Sequence, residues 1–372
     1  MISKACVAGP YQKKLEEIAA LDGVELRVVV PPYWRTDGHR EWLERRHLNG
    51  YEMSVRKALF NGHFHHHFYP ALAREISDFA PDLVHVDEEP YNLATAHAVW
   101  LARRHSARAV FFSWQNLSRR YPPPFSWLER FCYQRAAAIA GTGGARDVLR
   151  AKGFEGPLAV IPQFGVDPDV FRPAPGRDRP ARFTVGYLGR LVEEKGLKPF
   201  MGAMSKMPDV RSRIGGRGPM ANWIRKFAAE RNMLDRLDGP TPVPPPEVPN
   251  FLNSLEVLVL PSLPTPKWTE QFGRVLVEAM ACQIPVVASD CGEIPGVLGD
   301  AGLLTPPGDE EALVGALEQV RDNPELAEDL GRRGRARVME DYTHRKIAKA
   351  TGAYYSELLG GLSDSKSGFA PF

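Results

Sequence analysis

The chain is organised around the stretch Glu270-Gln-Phe-Gly-Arg-Val-Leu-Val-Glu278-Ala-Met280. Its two carboxylates stand eight positions apart, and apolar residues flank the second one on both sides. This pattern predicts a helix over Phe272–Ala281 that carries Glu278 on a partly buried face, with Glu270 in the loop before it. A buried carboxylate is costly without a partner, so Glu278 needs an arginine, a lysine or ligand hydroxyls beside it.

Two interpretations of these carboxylates are open from their spacing alone. In the first, one extended polar ligand contacts both, and the backbone N–H groups of the first helical turn hold an anionic or oxygen-rich group. Gly273 would let that group approach closely. In the second, Glu270 is a solvated loop residue and Glu278 belongs to a structural ion pair. The surrounding sequence decides between them.

Length and composition limit the class of protein. A chain of 372 residues exceeds the size at which one core stops growing, so two domains are expected. The net charge of +2 gives no nucleic-acid footprint, and four cysteines without a C-x-x-C pair fit a reducing cytosol. The N-terminus lacks a signal-peptide pattern, and no apolar run is long enough to span a membrane. We therefore expect a cytoplasmic protein, with peripheral contact at the cytosolic face of a membrane left open.

Strand and helix patterns alternate through the first half of the chain, which predicts a parallel sheet with helices on both faces. The predicted strands are Ala5–Ala8, Glu25–Val30, Leu83–Val86, Arg108–Phe112 and Ala137–Ala140; the predicted helices are Gln12–Ala20, Pro70–Phe79, Leu93–His105 and Ser126–Arg135.

Polar loops follow three of these strands and are expected to converge on one crevice, although ordinary turn chemistry would also explain each of them. They are Gly9-Pro10-Tyr11, Asp87-Glu88-Glu89-Pro90-Tyr91 and Ser113-Trp114-Gln115-Asn116.

Residues 31–69 form a long connection that contains His63, His65, His66 and His67. We interpret it as a lid or acceptor-facing loop, or as a helix with a histidine-rich exposed face, in preference to a metal site. The segment Asp167-Pro-Asp169 lies in a Pro- and Gly-rich region, so it is read as a turn and not as a metal ligand set.

The second half repeats the alternation and predicts a second doubly wound domain. Its predicted strands are Thr184–Leu188, Val210–Ile214, Leu255–Leu260 and Pro285–Ser289, and its predicted helices are Leu197–Met204, Met220–Arg231, Pro246–Ser254, Phe272–Ala281, Glu310–Arg321 and Pro324–Tyr342. The expected layout is a domain over residues 1–168, a linker over 169–180, a domain over 181–342, a helix within 343–360 and a disordered tail over 361–372.

Two loops of the second domain suit a diphosphate. Gly189-Arg190 follows a strand and Lys195-Gly196 precedes a helix, which would place a bidentate guanidinium and a point charge on one ligand. Gly216-Arg-Gly218 lies between a strand and a helix and suggests close backbone approach to a nucleotide or sugar. A surface loop and a simple turn are the alternatives. The segment Asp238–Pro249 reads as a stiff proline-rich loop.

Taken in order, these motifs resemble the retaining GT-B glycosyltransferases of the large fourth family. The resemblance is carried by Gly189-Arg190…Lys195-Gly196, Gly216…Gly218-Pro219, Leu260-Pro261-Ser262, Glu270-x-Phe272-Gly273…Glu278-Ala279-Met280-Ala281, Pro285-Val286-Val287-Ala288, Gly292-Glu293-Ile294-Pro295 and Ala301-Gly302-Leu303-Leu304. It is dense over 183–345 and looser over 1–170. It implies the GT-B fold: two doubly wound Rossmann-like domains that face each other across a cleft, with a C-terminal helix that crosses back to the first domain.

The resemblance also implies roles. Arg190 and Lys195 would hold the donor diphosphate, Glu270 would bind sugar hydroxyls beside the backbone of Phe272 and Gly273, and Glu278 would hold the ribose. The reaction would be a front-face transfer of a hexose from a UDP- or GDP-sugar to an acceptor hydroxyl, with retention of configuration. The implied co-substrate is the nucleotide sugar, with no permanently bound cofactor and no metal; the implied acceptor is a glycan, a lipid-linked molecule or a small molecule.

The first half departs from the family pattern in two places. Many members have a Gly-Gly loop where this chain has Gly9-Pro10, and many have a histidine where this chain has Gln115-Asn116. Either Gln115, Asn116 or His85 would take over the histidine's contact with the donor sugar. Glu88, Glu89, Gln115 and Asn116 are the candidates for acceptor or distal sugar contacts.

Two alternatives to a transferase remain open from the sequence. One is a nucleotide-sugar 2-epimerase on the same fold, and the other is a non-catalytic relative that binds a nucleotide sugar.

Overall fold

The computed structural model describes residues 1–36, 39–175 and 182–360. The chain divides into two compact units: unit 1 holds Met1–Gly165 and the chain from His344 onward, and unit 2 holds Val166–Thr343. The change from one unit to the next thus falls at Gly165 and Val166, where the sequence had suggested residue 168. Parts of the expected linker and the whole expected tail lie outside the described residues.

Unit 1 alternates strands and helices. Its strands are β1 (Arg27–Val30), β2 (Tyr33–Thr36), β3 (His39–Trp42), β4 (Glu52–Val55), β5 (Leu83–Val86), β6 (Arg108–Ser113), β7 (Ala137–Ala140) and β8 (Leu158–Val160). Its helices are α1 (Lys13–Ala19), α2 (Leu72–Phe79), α3 (Leu93–Arg104), α4 (Phe125–Tyr133) and α5 (Gly143–Ala151), to which the C-terminal helix His344–Gly360 is added.

The sheet of unit 1 has Ile2 at its centre. Ile2 bridges β1 on one side and β5 on the other, both in parallel, and β4 pairs with β1 while β6, β7 and β8 follow β5. With Ile2 counted as the first strand, the order is β4-β1-Ile2-β5-β6-β7-β8, which is that of a doubly wound sheet. The switch point of this order lies between Ile2 and β5. Ligands of such sheets bind beyond the strand ends at this switch point.

Unit 2 contains β9 (Thr184–Leu188), β10 (Arg211–Gly215), β11 (Leu237–Thr241), β12 (Val257–Leu260), β13 (Val286–Ser289) and β14 (Leu303–Thr305). Its helices are α6 (Leu197–Ser205), α7 (Ala221–Glu230), α8 (Val248–Asn253), α9 (Arg274–Ala281), α10 (Ile294–Leu298), α11 (Glu310–Asp322) and α12 (Pro324–Arg337), which continues as a π-helical turn over Val338–Tyr342. The C-terminal helix of unit 1, His344–Gly360, is α13.

The sheet of unit 2 is parallel, in the order β11-β10-β9-β12-β13-β14. This is the dinucleotide-binding order, and its switch point lies between β9 and β12. The loops that leave these two strands start at Gly189 and Pro261. The prediction of two parallel α/β units is therefore confirmed.

The N-terminal strand was predicted in the wrong place. Ala5–Val7 is a short 3-10 helix, and the strand position is taken by Ile2, whose N–H donates to the carbonyl of His85 at 2.8 Å. Because the pairing segment is a single residue, it leaves no periodic pattern in the sequence. The polar residues beyond the first strand are consequently Ser3 and Lys4, and not Gly9-Pro10-Tyr11.

The long connection over 31–69 also differs from its prediction. It holds the antiparallel pair β2–β3 and the parallel strand β4, in place of a histidine-rich helix. The interpretation of this segment as a lid or acceptor-facing loop stays a prediction. In unit 2, the proline-rich segment after Asp238 contains the end of β11. That strand lies at the edge of its sheet, where proline is tolerated because one side of the strand needs no backbone donors.

The C-terminal helix α13 belongs to the core of unit 1. Ile347 and Tyr354 pack with Val110, Phe112 and Ile139 of the sheet, and Ala348 packs with Leu15 of α1 among other residues. Within the ranges that the structure describes, no helix is both long and apolar enough to cross a membrane. The four cysteines are buried, and none of them forms a disulfide bond.

Candidate functional site

The loop after β9 is held by its own backbone. The N–H of Gly189 donates to the carbonyl of Gly215 at 3.0 Å, and the hydroxyl of Tyr187 donates to the carbonyl of Arg190 at 2.7 Å. Arg190 is an exposed residue at the C-terminal edge of the sheet. Its backbone is therefore fixed while its side chain is accessible to a ligand at the switch point.

The glycines of the second loop have a structural explanation. Gly216 and Gly218 have φ of +145° and +154°, and a Cβ on Gly216 would lie 1.9 Å from the carbonyl oxygen of Gly189. A Cβ on Gly218 would lie 2.4 Å from the carbonyl oxygen of Leu191. The sequence suggested that these glycines admit a nucleotide or sugar; the close approach seen here is between two loops of the protein itself.

Lys195 and Glu270 are brought together, as one site requires, although 75 positions separate them. Lys195 Nζ lies 2.5 Å from Glu270 Oε2, and the hydroxyl of Ser262 donates to the same oxygen at 2.9 Å. Ser262 follows β12, so the cluster lies beside the switch point. The ammonium also lies 4.9 Å from the centre of the Trp268 ring. Glu270 is buried, which contradicts the interpretation of a solvated loop residue.

Glu278 lies on the buried face of α9, as predicted. The helix begins at Arg274, and Gly273 caps it with a left-handed φ of +71°. Arg274 lies one turn before Glu278 on the same helix, and its Nε is 2.9 Å from Glu278 Oε1. Burial raises the pKa of Glu278, and the Arg274 guanidinium opposes this rise. Arg274 is thus the partner that the buried carboxylate of Glu278 requires, as expected if Glu278 belongs to a structural ion pair.

Phe272 is buried beside the N-terminus of α9. Its ring meets Tyr342 edge to face at 5.7 Å between centroids. The side chain therefore holds the start of the helix against the end of the π-helical turn.

The switch point of unit 1 carries a charged cluster whose carboxylates the sequence indicated and whose other members it did not. The hydroxyl of Ser3 donates to Asp87 Oδ2 at 2.8 Å, and Lys14 Nζ lies 3.4 Å from the same oxygen. Lys4 forms an ion pair with Glu88, and burial lowers the pKa of Lys4 to about 8. Both carboxylates are buried. Ser3 and Lys4 follow Ile2, so finding them required recognising a one-residue strand.

Glu88 and Glu89, although adjacent, point to different partners. Besides Lys4, Glu88 accepts a hydrogen bond from Asn92 at 3.3 Å. Glu89 accepts one from the Ser113 hydroxyl at 2.7 Å and one from the backbone N–H of Trp114 at 2.8 Å. Burial raises the pKa of Glu89 to about 7, against the effect of these two bonds. Glu89 therefore connects the ends of β5 and β6.

Gln115 and Asn116 occupy the position where the resembling family has a histidine. Gln115 is buried, its side-chain amide donates to the hydroxyl of Tyr121 at 3.3 Å, and its carbonyl oxygen accepts from Lys152 at 3.4 Å. Asn116 is half-buried. Lys152, which also pairs with Glu129, was missed because it lies at the end of α5, a helix that the sequence analysis did not predict.

Two candidates of unit 1 make contacts within the protein that the sequence did not predict. His85 is buried, and its Nδ1 lies 2.5 Å from the hydroxyl of Tyr355 on α13. Burial lowers the pKa of His85 to about 3, so its ring is neutral. The contact of His85 with the donor sugar stays a prediction.

Gly9 is also explained by packing. Its N–H donates to Glu44 Oε2 at 3.2 Å, and an added Cβ would lie 2.6 Å from Arg46 Cδ.

The two groups once considered as metal ligands are structural. His67 is fully buried with Nδ1 2.9 Å from the Phe64 carbonyl oxygen, and burial lowers its pKa to about 4. Asp167 starts a turn, in which its Oδ1 accepts from the N–H of Asp169 at 3.0 Å. In the described part of the chain, no group of three or more His, Cys, Asp or Glu side chains is arranged to hold a metal ion.

The sheet of unit 2 has the strand order of dinucleotide-binding sheets, and its switch point carries a lysine, an arginine and a buried glutamate. Two family models match the chain: Glycosyl transferases group 1 over residues 174–337, and Glycosyl transferase 4-like domain over residues 9–163. The chain belongs to the GT4-type glycosyltransferases of GT-B fold. Its activity is accordingly the transfer of a glycosyl group.

The chain is also similar in sequence to individual glycosyltransferases and related synthases. The 2-deoxystreptamine glucosyltransferase of Streptomyces kanamyceticus is 27% identical over 274 residues, which cover 68% of this chain and 69% of that protein. The alpha-maltose-1-phosphate synthase of Mycolicibacterium smegmatis is 29% identical over 321 residues, which cover 79% and 78%. Both names describe transfer or synthesis, which does not support the epimerase alternative.

A solved structure shows the same fold. HepE of Anabaena, in complex with UDP and glucose, superposes with a TM-score of 0.69 at 18% identity, over 95% of this chain and 98% of that one.

Proposed function

We propose that the chain is a retaining hexosyltransferase that uses a UDP- or GDP-sugar and glycosylates an acceptor hydroxyl. The observation that carries this proposal is the Lys195–Glu270–Ser262 cluster at the end of β12. A buried carboxylate held by one ammonium and one hydroxyl is a preorganised acceptor for sugar hydroxyls. The same ammonium lies beside the loop that presents Arg190.

Each charged group has a proposed role toward the donor. Lys195 and Arg190 contact the diphosphate and stabilise the charge that develops on it as it leaves. Glu270 accepts hydrogen bonds from hydroxyls of the transferred sugar. Glu278 binds the ribose hydroxyls, and the Arg274 guanidinium favours the charged form of its carboxylate against the effect of burial.

The transfer is proposed to occur on one face of the sugar. The bond from the anomeric carbon to the diphosphate oxygen breaks as the bond to the acceptor oxygen forms on the same side. The proton of the acceptor hydroxyl passes to the departing phosphate oxygen, so no protein nucleophile is needed. Independence of a divalent metal is part of this proposal, and turnover that stops after chelator treatment and returns with added metal would contradict it.

Unit 1 is proposed to bind the acceptor. Support comes from the polar groups at its strand ends, where Glu88, Glu89, Gln115 and Asn116 come from the loops after β5 and β6. Glu88, Glu89 and Gln115 bond to neighbouring side chains, so they present fixed oxygen and nitrogen atoms instead of mobile ones. The acceptor contacted by such groups is one with several hydroxyls.

The donor assignment is tested by thermal shift with UDP, GDP, ADP and dTDP and their common sugar conjugates. A ligand at a hundredfold excess over its Kd stabilises the folded state by about 2.7 kcal/mol. We expect one nucleotide to respond, and Lys195→Ala and Glu278→Ala each to weaken its binding about 10- to 100-fold, because each removes a charge-assisted contact.

Lys198→Ala is the matched control. Lys198 also pairs with a glutamate, Glu193, at 2.7 Å, but that pair is exposed. Its loss should leave nucleotide binding unchanged. A panel without any response, or equal responses in the Lys195 variant and wild type, would contradict the assignment; binding without transfer to any acceptor would favour the non-catalytic alternative.

A further inference from the structure

An apolar groove on unit 1 is not used by the proposed reaction. It has a volume of about 400 Å³ and lies between α3 and α4, where it is lined by Phe68, Leu93, Ala96, His97, Leu128 and Phe131. The single polar lining group is His97, whose pKa is lowered by burial, so its ring is neutral at physiological pH. The groove therefore offers an almost purely apolar surface to a ligand.

Two tryptophans extend this apolar surface into solvent. Trp100 is 44% exposed and lies one turn beyond His97, with the two rings stacked at 6.4 Å between centroids. Trp127 is 67% exposed and lies one turn before Phe131 on α4. Exposed indoles around an open apolar groove are unfavourable in water unless something covers them. Indoles are also the side chains that sit at the boundary between lipid headgroups and hydrocarbon.

The segment that forms α3, α4 and their connection is strongly basic. Residues 93–135 contain seven arginines, and Glu129 is their only acidic residue. Glu129 is buried and paired with Lys152, so it does not offset the arginines at the surface. The guanidinium of Arg104 lies 4.8 Å from the Trp100 ring centre, and that of Arg135 lies 4.6 Å from the Phe131 ring centre. A cation thus lies over an aromatic ring on each helix.

We propose that this face of α3 and α4 docks unit 1 on an anionic phospholipid bilayer. Trp100 and Trp127 enter the interface, the groove accepts hydrocarbon from a lipid chain, and Arg104 and Arg135 contact lipid phosphates. Apolar burial and attraction to anionic headgroups together are what hold a peripheral protein on a membrane. The net charge of the whole chain is only +2, so residues 93–135, with seven arginines and one acidic residue, are much more basic than the chain as a whole.

Vesicle binding tests the proposal without donor or acceptor, so its outcome is independent of the proposed reaction. The full chain is sedimented with vesicles of phosphatidylcholine alone and of phosphatidylcholine mixed with phosphatidylglycerol. We expect at least about tenfold tighter binding to the anionic vesicles, since each arginine near such a surface adds to the attraction. Lipids brominated in their acyl chains should quench part of the tryptophan fluorescence.

Variants locate the docking face. Trp100→Ser with Trp127→Ser should abolish the quenching and weaken binding at least about tenfold. Arg104→Glu with Arg135→Glu should remove the preference for anionic lipid. Trp42→Ser is the matched control, because Trp42 is 60% exposed on β3, outside the groove. Thermal unfolding verifies that each variant is folded.

Three outcomes would overturn the proposal. The first is absence of binding to either vesicle type, and the second is equal binding to both. The third is an equal loss in the Trp42 control and in the groove variants. Self-association of the wild type that the groove variants abolish, without vesicle binding, would assign the face to a second copy of the chain instead.

Discussion

Glu89 shows how one side chain of unit 1 combines a structural and a titratable role. Its carboxyl group connects the ends of β5 and β6 through Ser113 and Trp114, and burial raises its pKa to about 7 from an ordinary value of 4.5. Between about pH 4.5 and about pH 7, the folded state therefore holds a proton on Glu89 that the unfolded state has already released. The stabilising effect of this proton is complete below about pH 4.5 and is lost as the pH rises through about 7.

Glu89→Gln removes this titration and keeps an acceptor for the N–H of Trp114. We expect wild type to lose stability relative to the variant between about pH 4.5 and about pH 7, by at most about 1.4 kcal/mol per pH unit, with no further change above that range. Urea unfolding followed at several pH values measures the difference. Glu52→Gln on β4 is the control, because that carboxylate is mostly exposed. A difference that stays constant with pH would contradict the raised pKa.

At the level of elements, the loop before α6 depends on one backbone conformation. Gly196 has φ of +71°, and a Cβ at this position would lie 1.7 Å from the carbonyl oxygen of Pro261. The same contact holds Lys195, the preceding residue, beside the end of β12. Any side chain at position 196 must therefore push apart the two loops that leave the switch point.

Gly196→Ala should destabilise unit 2 by more than about 2 kcal/mol, from the left-handed conformation and the clash together. It should also reduce the thermal shift produced by the donor nucleotide, because Lys195 is displaced. Gly315→Ala is the matched control: Gly315 lies within α11 with no atom near its missing Cβ, and the change should stabilise by about 0.5–1 kcal/mol. Unaltered stability and nucleotide binding in Gly196→Ala would show that the loop can relax.

The elements also show what the sequence could and could not predict. The strands Leu83–Val86, Ala137–Ala140 and Thr184–Leu188 were predicted with their observed bounds, because buried parallel strands are continuous apolar runs. The helix around Glu278 was predicted to within two residues of its start.

The features that the sequence did not predict were missed for physical reasons. The strand β11 contains Pro240 and was taken for a loop, since only its place at the sheet edge makes proline acceptable there. The pair Lys4–Glu88 was missed because one bridging residue, Ile2, is too short to leave a pattern. The Lys195–Glu270 contact depends on the order of strands in the sheet, and that order is not a local property of the sequence.

At the scale of the whole molecule, chain connectivity differs between the two units. Unit 2 is one continuous segment, whereas unit 1 is completed by α13 from the other end of the chain. In α13, Ile347 and Tyr354 are buried against the sheet, and Tyr355 lies beside His85. Removing such core side chains costs about 2–5 kcal/mol each. The free energy lost with the helix would therefore be comparable to the whole free energy of unfolding of a domain, about 5–15 kcal/mol.

A chain that ends at Thr343 should therefore lose the folded state of unit 1 while unit 2 stays folded and continues to bind the donor nucleotide. Limited proteolysis with mass spectrometry should show cleavage throughout residues 1–165 and protection of a fragment close to 166–343. A chain that ends at Gly360 is the matched control, because it retains all of α13. Protection of residues 1–165 in the shorter chain would mean that unit 1 folds without its last helix. Cleavage of both units would mean instead that unit 2 relies on unit 1, although it has a sheet of its own.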